Sequence, residues 1–72
     1  MEDVKKDGMR FFIEDGQLIA QALHGDQPLA IASDVLRILD VTHTAASDNF
    51  YTVRFERLNG EIAVEDVLAT AI

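Results

Sequence analysis

The chain has 72 residues, of which 49% are hydrophobic. This length allows one domain, and this hydrophobic content is too high for a disordered chain. Thirteen acidic against six basic residues give a net charge of −7, which disfavours binding to nucleic acid or anionic lipid and favours a protein partner with a basic surface.

The sequence contains no cysteine, so neither a disulfide nor a thiolate metal cluster can stabilise the fold. The lack of cysteine fits the reducing cytoplasm. The apolar runs are too short to cross a membrane. Residues 1–8 mix charges without periodicity and are expected to form a flexible leader, which leaves residues 9–72 as a single domain.

Two turn signals organise the first half of that domain. Asp15-Gly16 separates two apolar-rich runs and predicts a hairpin with strands over 9–14 and 17–23, because a type I′ turn needs positive φ at both positions. Pro28 begins the run "PLAIA", which predicts a short edge strand because proline cannot donate to a strand ladder.

A helix is predicted next, over about 33–40. Ser33 suits the N-cap position, and Asp34 suits the positive end of the helix dipole. The apolar residues after them recur at i, i+1, i+3 and i+4, which is the spacing of one helix face; they are Val35, Leu36, Ile38 and Leu39. The polar run "VTHTAASDN" then indicates a loop.

The second half begins with the clearest strand, "FYTVRFERL", in which Tyr51, Val53 and Phe55 alternate with polar residues. Asn59-Gly60 predicts a second hairpin, and "EIAV" its short return strand. Glu65 or Asp66 is then expected to open a last helix that carries the remaining apolar residues to the end of the sequence.

The two halves therefore share one order: strand, glycine turn, short strand, acidic residue, short helix. The predicted fold class is α+β, with an antiparallel sheet of four or five strands in two hairpins and two short helices packed on one face, in the order ββ-β-α-ββ-α. One layer of helices leaves a sheet face or an edge strand uncovered, which predicts a homodimer.

No motif supports catalysis or cofactor binding. His24 and His43 have no metal-ligand spacing and are expected to be solvated surface residues. Ser33 and Ser47 lack the context of an activated nucleophile, and a helix start explains Asp34 and Asp66 without acid–base chemistry. The single glycines form no phosphate-binding loop. The sequence thus predicts a protein that is not an enzyme and that needs no cofactor or metal.

The charged and terminal residues remain as candidate partner-binding positions. Dispersed acidic side chains favour attraction of a basic partner, and an apolar end at Ile72 is expected to dock on the sheet or on a second subunit. The candidates are Asp26, Asp40, Asp48, Arg54, Arg57, Glu61 and Ile72. Arg54 and Arg57, interleaved with aromatic residues, leave open the alternative of a nucleic-acid-binding transcriptional regulator.

The segment "HGDQPLAIASDVLRILDVTHTAASDN", residues 24–49, resembles the start of the Bro-N type domain of phage antirepressor proteins. The likeness lies in Gly25, Pro28, the aliphatic residues 30–32, and an Asp34-Val35 pair that leads into a helix ending in Leu39. Small aliphatic residues stand where an aromatic pair is common in that family. The resemblance implies a phage-type regulator or inhibitor and carries over no catalytic residue.

Overall fold

The computed structural model describes residues 3–23, 25, 27–46 and 49–71. Within these ranges the backbone forms two antiparallel sheets, with strand orders β1-β2-β3-β4 and β5-β6-β7. The strands are β1 (Asp3–Lys6), β2 (Met9–Glu14), β3 (Gln17–Ala22), β4 (Leu29–Ala32), β5 (Val35–Ala45), β6 (Asn49–Arg57) and β7 (Ile62–Leu68), followed by a 3₁₀ turn at Ala69–Ala71.

The predicted α+β class is wrong, because the described residues contain no α-helix. The helix expected over 33–40, which the Bro-N resemblance also implies, is the first part of β5. Most of the loop expected after it continues the same strand. The helix expected from Glu65 is the end of β7 and the short 3₁₀ turn.

Two β-bulges explain why the apolar residues of β5 have the spacing expected of a helix face. The pairing of β5 with β6 slips between Val35 and Arg37 and again between Ile38 and Asp40, so that Leu36 and Leu39 are extra residues without a partner in the register. Each bulge adds one residue to the usual period of two, and over residues 35–41 every third side chain consequently faces the core. A period near three resembles one face of a helix more than it resembles a strand.

The second missed strand follows from the length of its partner. β6 has nine residues, and β7 pairs with it in an unbroken register from Glu56↔Ile62 to Phe50↔Leu68. The Asn59-Gly60 hairpin therefore extends the return strand through Glu65 and beyond. Ladder pairing outweighs the low strand preference of two adjacent acidic residues.

The two hairpin predictions are confirmed. Asp15 and Gly16 have φ of 52° and 75° in the turn between β2 and β3, and β6 and β7 are joined through Asn59-Gly60. The "PLAIA" segment forms β4 at the edge of its sheet, as predicted. Residues 3–6, assigned to a leader from the sequence, form β1 instead and pair with β2.

The inner faces of the two sheets share one hydrophobic core. Phe11 and Leu18 of the first sheet and Val53 and Phe55 of the second are fully buried. The rings of Phe11 and Tyr51 meet across the core with their centroids 5.6 Å apart. β1 and β2 pack on β5 along one side of this sandwich, whereas β4 and β7 border a cleft on the other side.

Asp34 joins the sheets rather than starting a helix. Its φ is 56°, a left-handed conformation that Asp tolerates better than most residues. Its carbonyl accepts from the N–H of Leu58 at 2.8 Å, and the N–H of the next residue, Val35, donates to the Gly16 carbonyl at 2.8 Å. Asp66, its counterpart in the apparent repeat, lies inside β7 and accepts from the Thr52 hydroxyl at 2.8 Å.

Candidate functional site

A cleft of about 330 Å³ lies between the edge strands of the two sheets. β4 contributes two half-buried aliphatic side chains, and β7 contributes four consecutive residues, of which two are acidic. The lining residues are Leu29, Ile31, Glu65, Asp66, Val67 and Leu68. The cleft thus combines an apolar lining with negative charge.

The cleft runs along the free backbone edge of β7. Successive side chains of a strand point to opposite sheet faces, so a cleft on one face would contact only alternate residues. Four consecutive residues, 65–68, line this cleft, and the cleft therefore follows the edge of the strand. On the opposite wall, Ile31 occupies the bulge at which the pairing of β3 with β4 slips. In a regular ladder Ile31 would have a partner in β3. In the bulge it has none, and its aliphatic side chain lines the cleft.

Exposed apolar side chains continue from the cleft onto the outer face of β7. Ile62, Val64 and Leu68 are each more than half exposed and share this face by their even spacing. Exposed apolar side chains at a sheet edge are typical of a surface that another chain covers.

A second polar cluster holds the two sheets together at the opposite side of the sandwich. His43 of β5 lies between the carboxylate of Asp7, 2.6 Å from its Nδ1, and the side-chain oxygen of Asn49, 2.5 Å from its Nε2. Its ring stacks on Tyr51 at 4.3 Å, and the Tyr51 hydroxyl donates to the Asp7 carbonyl at 3.0 Å. Only 15% of the His43 side chain is exposed, so the expectation of a solvated surface histidine is wrong.

The surroundings of His43 favour its charged form. Hydrogen bonds to Asp7 and to Asn49 raise the pKa of His43 above 6.5, although burial opposes the shift. Both partners are oxygen acceptors, and the imidazolium donates to both, whereas the neutral ring carries one proton. Burial raises the pKa of Tyr51, and the nearby Asp7 carboxylate raises it further.

We expect the folded state to lose stability as the pH rises from about 5.5 to about 8. The pKa of His43 is higher in the folded than in the unfolded chain. Its contribution is therefore complete below the unfolded pKa near 6.5 and is lost as the pH passes the folded pKa. Urea denaturation of the wild type and of H43Q at both pH values measures this difference, which H43Q should lack.

D7N is the matched control for this pH effect, since Asn tolerates the φ of 48° at position 7. It should lower the pKa of His43, as followed by NMR titration, while the fold persists. A wild-type His43 that titrates at or below 6.5 contradicts the arrangement.

The four described candidate residues lie outside the cleft. Arg57 binds the Glu61 carboxylate at 3.1 Å and donates to the Ser33 carbonyl at 3.0 Å. Asp40 lies opposite Arg54 in the β5–β6 register. The structure thus places each of the two arginines next to an acidic residue: Arg57 beside Glu61, and Arg54 opposite Asp40. Asp26, Asp48 and Ile72 lie outside the described residues, as does His24.

Two of the three aromatic side chains on the arginine strand β6 are not available for the contacts that the nucleic-acid hypothesis requires. Tyr51 and Phe55 are buried in the core, while Arg54, by the alternation of β6, points to the outer face. Arg57 lies over the Phe55 ring at 5.3 Å, but the opposite face of that ring belongs to the core. Stacking of bases on exposed aromatic rings therefore has no support from these two side chains.

The cleft was not predicted from the sequence, because Glu65 and Asp66 have the pattern of a helix start. The length of β6 was the available signal, since a hairpin of that length places both acids on a strand.

In the described residues, no group of three or more potential ligands is placed to hold a metal ion. No described helix is long and apolar enough to span a membrane. The chain matches no protein-family model, no curated protein and no solved structure.

Proposed function

We propose that this chain is a non-enzymatic interaction module that holds an extended, basic segment of a protein partner in the cleft between β4 and β7. The observation that carries the proposal is the meeting of aliphatic side chains with Glu65 and Asp66 along a free strand edge. The apolar lining supplies contact area, and the two acids attract and align basic side chains of the partner. The net charge of −7 attracts a basic partner from a distance.

Nucleic acid fits this surface less well than protein. The cleft carries negative charge, and Arg57 is already bonded to Glu61. The phosphate backbone requires several exposed cations. A module of this kind regulates or inhibits its partner by occupying the partner's binding segment. We place this role in the reducing cytoplasm because the chain has no cysteine.

We expect a capped octapeptide of sequence VTVKRVTV to bind the wild-type protein at low salt. Its affinity should fall as the salt concentration rises from about 0.05 M to about 0.5 M, because exposed charges are screened beyond a few ångströms at high salt. Isothermal titration calorimetry measures the affinity. The control peptide VTVEEVTV should not bind, and a labelled single-stranded oligonucleotide of random sequence should show no shift.

Charge reversal at the cleft provides the second arm of this test. E65K should weaken binding of VTVKRVTV about fivefold, the equivalent of about 1 kcal/mol, because an attraction between exposed charges becomes a repulsion. E14K is the matched control: Glu14 is an exposed glutamate at the end of β2, and the substitution changes the net charge equally. Equal losses in both variants, or no binding to the wild type, would contradict a site in this cleft.

A further inference from the structure

Four sheet edges occur in the described chain, and β7 is the least protected of them. β1 has four residues, three of them charged. β4 is equally short and bulged, and Pro28 precedes it. β5 carries two bulges. Short length, charge, proline and bulges are the devices by which proteins prevent strand addition.

β7 has none of these devices except its two acids. It is seven residues long, and its register with β6 has no slip. Its outer edge borders the cleft over residues 65–68, so an added strand has both a backbone to pair with and a space to occupy. Main-chain hydrogen bonds would supply affinity, and neighbouring side chains would supply selectivity.

The acids determine which strand fits. In a symmetric antiparallel pair of β7 with its copy, the centre of Ile62–Leu68 is Glu65, which would face the same residue of the second molecule. Like charges directly opposite each other destabilise a strand pair, and each molecule carries a net charge of −7. The edge therefore favours a basic strand over a second copy of the chain.

The order of residues in β7 also defines the complementary sequence. Glu65 and Asp66 are neighbours and point to opposite faces, whereas the strand is otherwise aliphatic. Cross-strand partners stabilise a sheet when their charges are opposite or when both are apolar. The complement is an adjacent pair of basic residues with apolar, β-branched residues on both sides.

We propose that the partner segment adds to the second sheet as a fourth strand along β7, with two adjacent basic residues beside Glu65 and Asp66. This inference rests on the proposed function and adds the mode of binding and the sequence class of the ligand. The bound strand fills the space between β4 and β7 and extends the ladder of β6 and β7 by one strand.

Backbone methylation tests this mode without changing the charge or the side chains of the ligand. Alternate amides of an added strand point to the same edge, so two derivatives of VTVKRVTV are needed, one N-methylated at the even positions and one at the odd positions. We expect one derivative to lose at least tenfold in affinity and the other to retain most of it. Hydrogen exchange followed by NMR should show new protection of β7 amides in the complex and none in β1.

The outcomes separate the two proposals. Binding of the peptide with equal affinity for both methylated derivatives overturns strand addition and leaves the proposed function standing. No binding of the unmodified peptide overturns both. Sedimentation of the protein alone is expected to show no pairing through β7. The contrary result is a dimer that E65Q strengthens and whose β7 amides are protected before peptide is added. That result assigns the edge to a second copy and overturns the inference.

Discussion

F11A is expected to remove a large share of the stability of this protein. Phe11 is fully buried where the two sheets meet and contacts the Tyr51 ring across the core. Truncating a buried phenylalanine to alanine costs about 3–5 kcal/mol, because it removes apolar contact and leaves a cavity. A domain of this size has a total stability of about 4–11 kcal/mol. Thermal denaturation followed by circular dichroism should show a fall in Tm of more than about 12 °C.

F12A is the matched control, because it removes the same side chain from the next residue. Phe12 is half-buried on the other face of β2, where Arg10 lies 4.3 Å above its ring. The loss should be about 1 kcal/mol, the size of an exposed cation–π contact with a small burial term. Equal losses for F11A and F12A would contradict the inward orientation of Phe11 and hence the packing of the two sheets.

The parts of the fold that sequence analysis predicted depend on local signals. Turns at Asp15-Gly16 and Asn59-Gly60 follow from residues that accept positive φ, and β6 follows from strict alternation around Val53. These signals act over a few residues, and tertiary contacts do not alter them. The hairpins and the edge strand β4 could therefore be predicted from the sequence, although the class built from them was wrong.

The parts that were missed depend on pairing between distant strands. The period of β5 is set by bulges opposite β6, and nothing within residues 35–41 alone distinguishes that period from a helix. The candidate site has the same origin: Glu65 and Asp66 become cleft residues only when β7 is a strand and β4 lies across from it. Similarly, His43 meets Asp7 from the other sheet, a contact between residues 36 positions apart.

The bulged register of β5 can be tested by placing a charge at two adjacent positions. I38D should lose more than about 4 kcal/mol, because Ile38 is buried opposite Phe55 and an unpaired carboxylate there is desolvated. L39D should change stability by less than about 1 kcal/mol, because Leu39 is the extra residue of a bulge and 38% exposed. Urea denaturation followed by circular dichroism measures both.

A helix over 33–40 would place Ile38 and Leu39 on the same buried face, and both substitutions would then destabilise the protein strongly. The strand with two bulges separates them, since only every third residue over 35–41 faces the core. If I38D does not fold, the alanine pair gives the same contrast, with a loss of about 2–5 kcal/mol for I38A and less than about 1 kcal/mol for L39A. A loss at Leu39 as large as the loss at Ile38 would contradict the two bulges of β5.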